Sequence, residues 1–195
     1  MNPQAALLII DMQKGSFVPE TPPFDTEGTV IRINELAAHF RQLGGPVIHI
    51  QHDGTGSGEF EKGNWDWEIL DEIQIKGTDL RIDKTANDVF YHSSLRQQLE
   101  NKGINTLYIT GCATDFCVAS SIQSALIKDY HITVVSDGHT TGQRPNLSAK
   151  QVIDHYNWVW QNMLPTQGSI EVKSSAEILA SLSPLKQNGN SDKKI

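Results

Sequence analysis

The sequence predicts an α/β protein built on a parallel sheet. Two observations carry this. Short apolar runs rich in β-formers alternate with stretches whose apolar residues recur at helical spacing, the pattern of right-handed βαβ units. The first run, residues 5–10, shows no polar alternation, as expected of a strand buried on both faces. At 195 residues without repeats or low-complexity segments, the chain reads as one domain over residues 1–182 with a polar tail over 183–195.

In order, residues 5–10 form a strand ending at Asp11. A Pro- and Gly-rich loop follows from Met12 to about Glu27. Residues 29–43 place Val30, Ile33, Ala37 and Phe40 on one helical face, and Gly44, Gly45 and Pro46 stop that helix. Residues 47–50 form a second buried strand. Residues 52–64 are Gly-rich and aperiodic, a surface loop or lid, with Trp65 and Trp67 behind it. A short strand over 80–83 leads to Lys84. A helix over 95–102 is closed by Gly103.

Residues 106–110 are the next strand. It runs through a tight turn into a helix on which Val118, Ile122, Ala125 and Leu126 recur, with Thr114 or Asp115 as the expected N-cap. A further strand spans 131–135 and ends at Ser136-Asp137-Gly138. Residues 147–163 are helical, 170–172 a last strand, and 174–182 a closing helix capped by Ser174 or Ser175. Residues 183–195, polar and unpatterned, are expected to fray.

Composition narrows the function classes. A net charge of −7 and a pI near 5.4 disfavour nucleic acid and anionic membranes as partners. No apolar run has the length of a membrane span, and the first run is too short for a signal-peptide core. The two cysteines, Cys112 and Cys117, suit a reducing compartment, so a cytoplasmic location is expected.

Asp11, Lys84 and Cys117 each stand at or just beyond the end of a predicted strand. In an open parallel sheet those ends share one crevice. A carboxylate, an ammonium and a thiol meeting there form a nucleophilic set. Cys117 falls in the first turn of its helix, where free backbone N–H groups and the helix dipole favour a thiolate. Cys112 has no such support and reads as packing.

Asp11-Met12-Gln13, Lys84, and the stretch Gly111-Cys112-Ala113-Thr114-Asp115-Phe116-Cys117-Val118 together resemble the isochorismatase-like cysteine hydrolases. That superfamily contains nicotinamidase, N-carbamoylsarcosine amidase and other small amidases. The resemblance spans roughly residues 5–172. It implies a three-layer α/β/α fold with a six-stranded parallel sheet in the order 3-2-1-4-5-6. It implies a catalytic triad of Asp11, Lys84 and Cys117, a cis peptide between Cys112 and Ala113, and an oxyanion hole made by the Ala113 and Cys117 N–H groups. The implied reaction is hydrolysis of a small-molecule C–N bond, amide or ureide, through a thioester. The presence of a cysteine speaks against cleavage of an isochorismate-type vinyl ether, the second reading. A non-catalytic binding protein on the same fold is the third.

Around the triad, Gln13, Phe17, His52, Trp65, Tyr91 and Phe116 are the candidate substrate contacts. His49, His52 and Asp53 depart from the Asp-x-His metal pattern of nicotinamidases, so no metal or cofactor is expected. Trp158 and Trp160, two apart on one helix, cannot both face one core. One of them is expected to meet another subunit, which makes a homo-oligomer the expected assembly.

Overall fold

The structure, a computed structural model, describes residues 4–18 and 20–182. The expected tail over 183–195 lies outside those residues.

Six parallel strands form one sheet: β1 (Ala5–Ile10), β2 (Val47–His52), β3 (Leu80–Lys84), β4 (Thr106–Cys112), β5 (His131–Thr140) and β6 (Ser169–Lys173). Their order is β3-β2-β1-β4-β5-β6, so the order reverses beside β1, where β1 lies between β2 and β4. The helices are α1 (Thr26–Gln42), α2 (Leu95–Asn101), α3 (Ala119–Leu126), α4 (Ala149–Gln161) and α5 (Ser175–Leu182).

The unalternated apolar run of β1 has a direct explanation. Ala6, Leu8 and Ile10 enter a core shared with α2, α3 and Trp160 of α4. Ala5, Leu7 and Ile9 enter a second core against Val30, Ile33, Leu36, Ala37 and Phe40 of α1 and Ile178 of α5. Both faces are covered, so every β1 position is apolar. Burying six such side chains supplies roughly 1.5–3 kcal/mol for each large one before chain entropy is counted. Ser148 opens α4 with a capping box: its hydroxyl accepts from the Gln151 N–H, and the Gln151 carboxamide accepts from the Ser148 N–H. Ser174 and Glu177 make the same reciprocal pair ahead of α5.

Two expectations are corrected. β5 does not end at Val135. Pairing with β4 lapses through Ser136, Asp137 and Gly138, then resumes with His139 opposite Gly111 and Thr140 opposite Cys112. Gly138 makes the irregularity possible, because a methyl group there would meet Val135 Cβ at 2.9 Å. Nor do Thr114 or Asp115 cap a helix. The chain leaves β4 in a π turn, Thr114–Val118, with Ala113 at its start and the Val118 N–H bonded to the Ala113 carbonyl at 3.1 Å. Both side chains are engaged elsewhere: Thr114 with His139, Asp115 with Thr141 and Arg144. Trp160 is fully buried and Trp158 is exposed, so the two do face apart.

Candidate active site

The crevice beside β1 is built from the ends of β1, β3 and β4. At the end of β1, Asp11 takes a left-handed backbone conformation (φ 48°), and its N–H bonds to the Ile50 carbonyl at 2.9 Å. The chain therefore turns sharply at the carboxyl end of this central strand. Lys84 is the last residue of β3, paired with His52 of β2. Cys117 stands in the π turn after β4, a geometry frequent at functional sites. The Cys112–Ala113 peptide just before that turn is cis. The Ala113 N–H has no hydrogen-bond acceptor among the described residues.

These elements bring Asp11, Lys84 and Cys117 together. Lys84 Nζ lies 2.6 Å from Asp11 Oδ2, 3.3 Å from Cys117 Sγ and 3.0 Å from the Ala86 carbonyl. An ammonium has three protons, and these are three acceptors. The lysine side chain is fully buried and the aspartate nearly so. Such a charged pair is kept inside only when it is well partnered. Asp11 Oδ1 accepts no hydrogen bond among the described residues. Cys117 Sγ is also 3.6 Å from Asn87 Oδ1.

The electrostatics at Cys117 run against the helix-end preference for a thiolate. Burial, and then the Asp11 carboxylate, push the Cys117 thiol up to about 12 against the pull of Lys84. Desolvation and a neighbouring carboxylate outweigh the helix end, so the sulfur rests protonated. Burial also raises the Asp11 carboxyl above the ordinary aspartate range, held partly back by Lys84 and by the Cys117 thiol. Cys112 is buried, and burial keeps its thiol protonated too.

A cleft of about 670 Å³ opens beside Ala113, with Ser16, Thr21, Pro23, Cys112 and Arg144 among its walls. This size suits a small-molecule ligand.

The other candidate contacts divide. His52 senses the charges of both Lys84 and Asp11. Burial and the lysine hold its imidazole toward the neutral form, and its Nδ1 lacks a partner among the described residues. Phe116 is half-exposed, with the Arg144 guanidinium 5.0 Å from its ring centre.

Gln13 is corrected to a bracing role. Its amide donates to the carbonyls of His52 and Trp67 and accepts from the His52 N–H, which ties the ends of β1 and β2 together. Phe17 packs on the α1-side core and lines a groove with Val30, Ile31 and Leu70. Trp65 is exposed on a short 3₁₀ turn, and Tyr91 is exposed and stacked on His92. None of these three lines the cleft beside Ala113. Their aromatic character suggested a pocket, but loop placement is not encoded in residue type.

His49 turns away from His52 and bonds to Asp79 at 3.2 Å. Among the described residues no group of three or more His, Cys, Asp or Glu side chains is placed to hold a metal ion. Sequence reasoning missed Asn87, Arg144 and His139. Asn87 lies three residues past Lys84 and was the one within reach of a spacing argument; Arg144 sits in an aperiodic loop that offered no signal.

The fold is shared with known proteins. The ureidoacrylate amidohydrolase RutB of Caulobacter vibrioides is 35% identical over 174 residues, covering 70% of this chain and 77% of that protein. The crystal structure of N-carbamoylsarcosine amidase from Thermoplasma acidophilum superposes with a TM-score of 0.69 at 26% identity, over 88% of this chain and 96% of that one. A cysteine hydrolase from Pseudomonas syringae pv. phaseolicola superposes with a TM-score of 0.84 at 20% identity, over 93% and 94%, a likeness of fold. The isochorismatase domain model matches residues 5–160, from the first residue of β1 into α4 and across every residue of the crevice described above. On that match the chain belongs to the isochorismatase family.

Proposed function

We propose that the protein is a cysteine-dependent hydrolase of a small-molecule C–N bond, an amide or a ureide, working through a thioester. The observation that carries this reading is the contact of one buried ammonium with both a carboxylate, at 2.6 Å, and a thiol, at 3.3 Å. The relatives named above, a ureidoacrylate amidohydrolase and an N-carbamoylsarcosine amidase, both carry names of C–N hydrolases, which supports it.

In the proposed cycle Asp11 takes the Cys117 proton as sulfur attacks the carbonyl carbon. The carbonyl oxygen gains the electron pair and is met by the Ala113 and Cys117 N–H groups. Collapse of this adduct breaks the C–N bond, and the leaving nitrogen takes the proton from Asp11. An S-acyl enzyme remains, or an S-carbamoyl enzyme if the carbonyl carries an amino group. Water then gives a proton to Asp11 and attacks the thioester, and the acid leaves as sulfur recovers its proton. Lys84 keeps the carboxylate in place and offsets charge as the thiol becomes a thiolate.

His52, beside the charges of Asp11 and Lys84, and Phe116, against Arg144 of the cleft wall, are the substrate contacts retained in this reading. The two free cysteines suit a cytoplasmic enzyme, and no helix among the described residues is long and apolar enough to cross a membrane. Exposed Trp158 supports an oligomer, which light scattering tests.

The functional test is a screen of purified protein against ureidoacrylate, N-carbamoyl amino acids, nicotinamide and cyclic amides, read as ammonia or amine release. Turnover that disappears in Cys117→Ala supports the proposal. Turnover that survives in Cys117→Ala refutes it, as does pyruvate release from isochorismate with no C–N cleavage.

A further inference from the structure

The irregular end of β5 places a buried histidine against the nucleophile turn. His139 Nδ1 is 2.9 Å from Thr114 Oγ1, and His139 Nε2 is 3.0 Å from Asn157 Oδ1. Thr114 and His139 are both buried, and the Trp160 ring meets the imidazole edge-on at 5.2 Å.

The direction of each hydrogen bond follows from its neighbour. Asn157 Nδ2 donates to the Ser136 carbonyl at 2.9 Å. The Asn157 amide is thereby oriented with its oxygen toward His139, and that oxygen can only accept. Nε2 must therefore carry the imidazole proton, which leaves Nδ1 as a lone pair. Thr114 Oγ1–H donates to it. One directed chain runs from the Thr114 hydroxyl through His139 to Asn157 and the Ser136 carbonyl, so it links the nucleophile turn to α4 and to the β5 irregularity.

Thr114 begins the π turn. It directly follows Ala113 and lies three residues before Cys117. A second bracket holds the adjoining residue: Asp115 accepts from Arg144 Nε at 2.6 Å, Arg144 Nη2 at 2.8 Å and Thr141 Oγ1 at 2.7 Å. Both brackets come from the segment that begins where β5 pairing resumes.

The geometry points to His139 as a positioning residue for the proposed reaction. Through Thr114 it sets the orientation of the turn that presents the Cys117 sulfur and the Ala113 N–H to one carbonyl group. Asn157 completes the role by fixing the imidazole tautomer. The inference rests on the reading of Cys117 as the nucleophile. It adds His139 and Asn157, which stand outside the triad and outside the walls of the cleft beside Ala113.

The test needs no native substrate. p-Nitrophenyl acetate acylates a nucleophilic cysteine with release of p-nitrophenolate, and the Cys117-dependent rate is the wild-type rate minus that of Cys117→Ala. Thr114→Val and His139→Leu are expected to slow this step about 10- to 100-fold, with apparent KM for the ester little changed, because misorientation of a reacting group costs rate rather than binding. Thr114→Ser keeps the hydroxyl and is expected to stay within about threefold of wild type. The double variant Thr114→Val/His139→Leu is expected to be no slower than the slower single variant, since both remove the same hydrogen bond.

Circular dichroism and thermal melts confirm folding of each variant. Should His139→Leu not fold, the Thr114→Val and Thr114→Ser pair decides alone. A wild type that acylates at Cys117 alongside a Thr114→Val of equal rate overturns the positioning role and leaves the hydrolase reading intact. Equal losses in Thr114→Ser and Thr114→Val overturn it too. A wild type with no Cys117-dependent release brings down the nucleophile reading, and this inference with it.

Discussion

Gly111 of β4 stands in register with Ile10 of β1, and a methyl group on Gly111 would lie 2.1 Å from the Ile10 carbonyl oxygen. Its φ of +123° is also one that side chains rarely adopt. The two strands close up where they deliver Asp11 and Cys117. Gly111→Ala is therefore expected to lose about 1–3 kcal/mol or more of stability, with hydrolysis falling alongside, because the obstruction is backbone and cannot rotate away. Urea denaturation with a parallel activity assay reads both.

Removing the proposed base should separate binding from chemistry. Asp11→Asn retains shape and loses the proton acceptor, and kcat is expected to fall about 10²- to 10⁴-fold. Trapping of an S-acyl enzyme by mass spectrometry should fail in Cys117→Ala. An Asp11→Asn enzyme with wild-type kcat on a confirmed substrate contradicts the scheme.

Lys84→Met leaves a buried carboxylate without its cation. Breaking a buried pair from one side costs about 3–5 kcal/mol, so a clear drop in Tm is expected together with loss of activity. The double variant Lys84→Met/Asp11→Asn should regain part of the Tm and none of the activity. Calorimetry of the three variants checks the pattern.

The acid side of the activity profile should lie above the pH at which an ordinary aspartate titrates. Burial raises the Asp11 carboxyl, and the base works only when ionised, so kcat/KM is expected to fall as pH drops through that raised value. A profile flat down to pH 4 would exclude Asp11 as the base.

Stability should decline as pH falls from about 6.5 toward 4. Burial lowers His139 to about 4, while an unfolded histidine binds its proton near 6.5. In that interval His139 holds more of its proton in the unfolded chain, so its contribution is present above it and is lost with acidification, roughly 3 kcal/mol from this residue, while the raised Asp11 carboxyl works in the opposite direction. Burial lowers His49 as well, which adds in the same direction as His139. Denaturation midpoints between pH 4 and 7 should flatten in His139→Asn.

Much of the fold was legible because apolar patterning reports burial. The unbroken run 5–10 announced a strand covered on both sides, and among the described residues the six strands and five helices fall where the patterning placed them, with ends that shift by a few residues except at the longer β5. The meeting of Asp11, Lys84 and Cys117 was legible because strand ends in a parallel sheet face one crevice. The continuation of β5 through His139 and Thr140 was not, since Ser136-Asp137-Gly138 carries the composition of a turn and only pairing with β4 shows that the strand resumes. The balance of forces on the thiol was not legible for a related reason: a helix end is visible in sequence, while the depth at which Cys117 sits and the carboxylate beside it come from distant segments.

A thiol that burial and a neighbouring carboxylate hold toward its protonated form is a poorer target for peroxide and for stray electrophiles, both of which seek thiolate. Long dormancy between encounters would then cost the protein little oxidative damage, and selectivity would begin before any substrate atom is recognised, with whatever can draw the proton across to Asp11.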